Sequence, residues 1–159
     1  MPLDCGRTIA GMQQIQYLFA DYAEAHQTKG NKFFHRMGIP LIVLTLLGML
    51  ARVPLGPIDL ALGVIGLSAI YYFALDWRLA IAMLAISLGF WWLGRIIPFW
   101  WNVALFVLGW IFQFVGHSVY ERKSPKFLRN MVHLLIGPLW IVNDIIPIVK
   151  AQGAVAPQR

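Results

Sequence analysis

Apolar residues recur at spacings of three and four near the start of the chain: Ile9, Met12, Ile15, Leu18, Phe19 and Tyr22. That is the period of a helix with one greasy side, and it predicts an amphipathic helix over residues 9–26. Gln13, Gln14, Asp21 and Glu24 supply its polar side. Such a helix either lies on a membrane surface or packs against its neighbours. Further along, the pattern becomes four uncharged runs, Met37–Ala51, Leu60–Leu75, Leu79–Gly94 and Ile96–Tyr120, of 15, 16, 16 and 25 residues. A helix that crosses a bilayer needs about 20 apolar residues. Phe33 and Phe34 lengthen the first run, and flanking Arg and Trp side chains can snorkel. The segment "RVPLGPID" reads as a loop, with Pro54, Gly56 and Pro57 as breakers. "DWR", residues 76–78, joins the second and third runs so tightly that they form a helical hairpin, either spanning or dipping in and returning. The fourth run begins as a helix near Pro98. A last helix over about Pro125–Val149 is interrupted by Pro138 and Pro147 and is not expected to cross straight through.

The resulting fold class is an all-α integral membrane bundle, one domain over residues 1–159. It has about four transmembrane or membrane-embedded helices, an N-terminal amphipathic helix and a broken C-terminal helix. Composition agrees: 59% of residues are hydrophobic and 13% charged, with a mean hydropathy of +0.67, against roughly half and a quarter in soluble domains. The net charge of +6 does not indicate nucleic-acid binding, because the basic residues flank apolar runs and form no face with interleaved aromatics. If the four runs cross, eleven of the thirteen Lys and Arg residues fall on one side, and Arg52 and Arg95 are the other two. The positive-inside rule makes the side with eleven cytosolic. That places the protein in a bacterial inner membrane, or in the endoplasmic reticulum if it is eukaryotic. The single cysteine, Cys5, excludes an intramolecular disulfide framework and a multi-thiolate metal site. "IAGMQQIQYLFA" lacks the form of a secretory signal.

Two polar constellations stand out. In "QFVGHSVYERKSP", Gln113, His117 and Glu121 recur every four residues and make one polar stripe on an oily rod. Burying such groups in lipid is expensive, so the stripe should face protein or water. His26 and His35 lie nine residues apart, about 900° of rotation on one helix, which would put them on opposite faces. "QTKGN" lies between them. Gly30 can end one helix and Asn31 can cap the next, and a bend there would let both rings converge. The crossing parity brings His117 and Glu121 to the same membrane face. His133, in "LRNMVHLLIGP", is either a fourth nitrogen ligand, an outer-shell donor or a packed polar residue. Imidazoles with a carboxylate suit iron(II), zinc or manganese, and open positions favour iron(II) and oxygen chemistry. Four histidines are too few for a histidine-rich di-iron centre.

"YAEAHQTKGNKFFHRMGIP", followed by "QFVGHSVYERKSP" and "GPLW", resembles the small membrane dioxygenases of 2-hydroxy fatty acids over roughly residues 15–145. The resemblance implies one Fe(II) per chain. It also implies a reaction in which a long-chain 2-hydroxy fatty acid and dioxygen give an acid one carbon shorter and carbon dioxide. His26, His35 and His117 match the motif histidines and Glu121 the motif glutamate, with His133 a further candidate ligand. Lys32, Arg36, Arg122 and Lys123 are candidates to attract the substrate carboxylate, or ordinary positive-inside anchors. Gln113, Asn31, Glu121 and Asp144 are candidates for outer positions around the ligands. Two departures bear on that outer layer: His133 stands where many relatives have glutamine, and Asn143-Asp144 where the family often has glutamate. The competing readings are a zinc hydrolase on the same ligands, a scaffold whose polar stripe joins helices, and a small transporter. The last is weakened by the lack of a charge within any run.

Overall fold

The computed structural model of the chain describes residues 5–24, 26–121 and 132–149. Among the described residues, six α-helices form an all-α membrane bundle: α1 (Cys5–Glu24), α2 (Lys29–Leu50), α3 (Leu60–Leu75), α4 (Trp77–Ile96), α5 (Phe99–Val115) and α6 (Val132–Ile145). α5 continues into a π-helical turn, Gly116–Glu121. The predicted loop after α2 contains a two-residue hairpin, β1 (Pro54–Leu55) paired antiparallel with β2 (Ile58–Asp59), and Gly56 turns its corner at φ 64°. Three helices are long and apolar enough to cross a membrane: α2, α4 and the continuous Phe99–Glu121 rod. The surface carries the matching signature. Leu67, Ile70, Trp92, Trp100 and Trp101 are 62–78% exposed, an outer face built for lipid.

Each junction has a chemical cause. Asp59 caps α3 by accepting from the Leu62 amide at 3.0 Å. Asp76 is the one residue between α3 and α4, and its carboxylate accepts from the Arg78 and Leu79 amides, so the "DWR" joint is a capped hairpin. Pro98 is the N-cap of α5, one position before its first turn. α6 runs through Pro138 and ends before Pro147, so only the second proline acts as a stop. Residues 125–131, which the sequence assigns to the same helix, lie outside the described residues.

α1 resolves the choice left open by its periodicity. Ile15, Phe19 and Tyr22 are buried against Tyr72 and Leu75 of α3, Leu79 and Met83 of α4, and Ile136, Leu139 and Val142 of α6. The helix therefore packs on its neighbours, while Met12 and Tyr17 remain exposed. α2 is central, with α5 running antiparallel along it. A Cβ on Gly38 would lie 2.9 Å from the Gly109 carbonyl oxygen, and one on Gly48 would lie 2.8 Å from the Asn102 amide nitrogen. Small residues that let helix backbones meet are the usual means of association where lipid removes the hydrophobic drive.

Candidate metal centre

The bend between α1 and α2 lies at residues 26–28, earlier than the sequence suggests. Thr28 caps α2 by accepting from the Asn31 amide at 3.3 Å, while Gly30 and Asn31 belong to the first turn of α2. Glu121 locks this corner from the far end of the π-helical turn. Its carboxylate accepts from the Gln27 and Thr28 amides, both at 2.8 Å, from the Thr28 hydroxyl at 3.1 Å, and from the Asn31 side chain. A carboxylate at a helix N-terminus also complements the partial positive charge of the helix dipole. Gly116 permits the approach of the two elements, because a Cβ there would come within 2.5 Å of the Asn31 side-chain oxygen.

The corner brings three imidazoles together. Ring centroids are 4.3 Å apart for His26 and His35, 4.7 Å for His35 and His117, and 5.0 Å for His26 and His117. The planes meet at 63–88°, so each ring presents an edge to the others. One nitrogen from each lies within 4.8 Å of the other two, and all three residues are buried. Two rings share one steering device. His26 Nδ1 donates to the Tyr22 main-chain carbonyl at 2.6 Å, and His35 Nδ1 donates to the Asn31 carbonyl at 3.0 Å, in each case four residues back. The proton on Nδ1 leaves a lone pair on Nε2. His26 Nε2 is buried with no protein partner. Burial pushes His26 down to about 4, so its ring is neutral at pH 7. A neutral imidazole steered so that its Nε2 lone pair is free is the kind of donor a divalent transition metal requires.

Tyr22 is the wall of this site. Its ring lies on His26 at 4.1 Å with 12° between planes. Burial raises its hydroxyl above the usual tyrosine range, so it stays protonated. From the triad a cavity of about 170 Å³ extends along α2, α5 and α6. Its α2 wall is His35, Ile39, Ile42, Val43 and Leu46; its opposite wall is Phe106, Trp110 and Gln113 of α5 and His117 of the π-helical turn. His35 to Leu46 is about 17 Å of helix, the reach of a long acyl tail. The polar stripe therefore faces protein: Gln113 the cavity, His117 the triad and Glu121 the corner.

The other candidate residues take the following places. His133 stands outside the triad; its Nε2 donates to the Asp21 carboxylate at 3.0 Å, and its ring lies 6.0 Å from Tyr22. Asp144 steers no histidine, because it is taken up by Arg36, whose Nε donates to it at 2.8 Å. Arg36 is therefore ion-paired with Asp144. Neither Arg36 nor Lys32 lines the cavity. Glu121 holds the corner and does not belong to the nitrogen cluster. Asn31 meets His35 through its main chain. Arg122 and Lys123 lie outside the described residues. Tyr22 and Asp21 went unassigned in the sequence, although the four-residue spacings Tyr22–His26 and Asn31–His35 were available as a signal.

A segment of 46 residues is 41% identical to the yeast (Saccharomyces cerevisiae) 2-hydroxy-palmitic acid dioxygenase MPO1, covering 28% of this chain and 26% of the yeast protein. The chain thus aligns with about a quarter of the length of that relative. No solved structure matches. The family described as 2-hydroxy-palmitic acid dioxygenase Mpo1-like matches residues 12–147, a span that includes every histidine and the whole cavity, and the chain belongs to that family.

Proposed function

We propose that the protein is a membrane dioxygenase of long-chain 2-hydroxy fatty acids that shortens the acid by one carbon and releases carbon dioxide. His26, His35 and His117 would hold one iron(II) ion. The observation that carries the reading is a triad of buried imidazoles at the head of an apolar cavity. Family membership supports the same substrate class. Bound iron(II) supplies the open-shell centre through which dioxygen can react with a closed-shell organic acid.

The protein's own residues do the rest. Ile39, Ile42, Val43, Leu46 and Phe106 accept the acyl tail, and their burial of it supplies binding energy of about 0.8 kcal/mol per methylene. Tyr22 fixes His26, Glu121 fixes the corner, and the apolar walls exclude water from the reacting head group. The overall change balances without an external electron donor: R–CH(OH)–COOH and O2 give R–COOH, CO2 and H2O. The four electrons that reduce dioxygen all come from the two carbons at the head of the acid.

Three imidazoles also suit zinc, which would point to a hydrolase. One experiment separates the readings. The protein is purified under argon in mild detergent, its metal is quantified, and oxygen uptake is followed with 2-hydroxyhexadecanoate. Uptake with formation of pentadecanoate and carbon dioxide is expected, and His117→Ala should lose both metal and uptake. Stoichiometric zinc, or iron without oxygen uptake, would reject the dioxygenase.

A further inference from the structure

Among the described residues outside the triad, the cavity is lined by four side chains that can donate a hydrogen bond, Tyr22, Trp110, Gln113 and His133, and His133 Nε2 is already spent on Asp21. His26 and His35 spend their N–H groups on main-chain carbonyls and turn lone pairs inward. Among the described residues, no Lys or Arg lines the cavity. Gln113 does line it, 4% exposed, and its side-chain amide nitrogen is buried without a protein partner. It sits one turn before His117 on the same helix. It also lies against Gly38, three residues beyond His35, where a Cβ would come within 2.3 Å of that nitrogen. The amide therefore stands beside two members of the triad, in a space kept open by a glycine. A buried donor without a partner is costly, and a ligand that supplies an acceptor relieves the cost.

We propose that Gln113 is the carboxylate-recognising residue of this site, donating its amide N–H to an oxygen of the acid head group and selecting acids over alcohols of the same length. The proposal rests on the acid-substrate reading above in naming the ligand. It assigns recognition to an uncharged donor inside the cavity and not to Lys32 or Arg36, which do not line it. A neutral donor fits a buried site, because an unpaired Lys or Arg there would be far more expensive in the empty protein.

The test is binding under argon, where turnover cannot occur, with the purified full-length protein. The probes are 2-hydroxyhexadecanoate and hexadecane-1,2-diol, which share the tail and the 2-hydroxyl and differ in the carboxylate. Wild type should prefer the acid. Gln113→Leu should weaken the acid about tenfold, as expected for one hydrogen bond to a charged group, and leave the diol within about twofold. Gln113→Glu keeps the shape but opposes an anion, so the acid should weaken further and the diol should not. Metal content should be unchanged in both variants, which separates recognition from ligation. Equal loss of acid and diol in both would mean a packing role, and unchanged acid affinity in both would mean no role; either overturns the proposal. Admitting oxygen to the wild type tests the dioxygenase reading separately: binding that depends on Gln113 without oxygen uptake would leave this assignment standing and remove that one.

Discussion

His26 lies flat on the Tyr22 ring at 4.1 Å and donates its Nδ1 hydrogen to the Tyr22 main-chain carbonyl, so one residue fixes both the tilt and the tautomer of a candidate ligand. The two supports can be separated by substitution. Tyr22→Phe keeps the stack and the carbonyl and should retain metal at the wild-type level. Tyr22→Ala keeps only the carbonyl and should weaken metal binding by about ten- to a hundredfold, the usual effect of removing an outer support. Competition with a chelator measures both. Equal affinity in the two variants would show that the stack is not a support.

Glu121 holds the corner between α1 and α2 and stands outside the nitrogen cluster. Glu121→Gln keeps the size but removes the charge that four protein donors share. It should lower stability by about 1–2 kcal/mol and leave metal stoichiometry intact. Thermal unfolding in detergent together with metal analysis checks this. Loss of the metal from an otherwise folded Glu121→Gln protein would return Glu121 to the ligand set.

His26 makes the metal-free protein sensitive to acid. Its folded value of about 4 lies below the ~6.5 of an unfolded chain. Above pH 6.5 neither state is protonated and the full contribution is present. As pH falls from 6.5 towards 4, only the unfolded chain takes up the proton, and stability falls. Chemical denaturation of metal-free protein at several pH values should show this decline, and His26→Phe should make it shallower. The same slope in both proteins would show that other groups are responsible.

The membrane orientation has a direct test. Lys29, Lys32 and Arg36 lie at the triad end of α2, whereas Arg52 and Arg95 lie beyond the C-terminal end of α2 and in the last turn of α4. In a Cys5→Ser background, Lys29→Cys and Arg52→Cys should be labelled by a membrane-impermeant reagent from opposite faces, with Lys29→Cys reached from the cytosol. Labelling of both from one face would overturn the predicted crossing of α2.

The sequence exposes what periodicity and charge control. The apolar runs mark α2, α3, α4 and α5, the three-and-four spacing marks α1, and Asp76 with its "DWR" joint marks the hairpin. The four-residue stripe of Gln113, His117 and Glu121 marks a single inward face. What stays hidden depends on partners distant in sequence or on the main chain. Nothing local shows that Asp144 pairs with Arg36 108 residues away, or that Glu121 reaches Thr28 across 93. Gly30 and Asn31 look like a helix boundary because both are common there, yet Thr28 takes the capping role and the two are absorbed into the first turn. The π-helical turn has no distinct residue pattern either, since its conformation follows from the fit of Gly116 and Glu121 to α2.

The carbonyl groups that steer His26 and His35 have an evolutionary consequence. Every amino acid carries the same carbonyl, so no side-chain exchange at position 22 or 31 deletes the acceptor itself. A lineage can drift in the residues around these rings while their tautomers are inherited unchanged from the backbone. Substitution screens would then read positions 22 and 31 only through ring stacking and side-chain contacts, and would miss the feature that aims the nitrogens. Backbone amide-to-ester exchange one residue beyond Tyr22 weakens that carbonyl as an acceptor without changing any side chain. It would reveal a dependence to which ordinary genetics is blind.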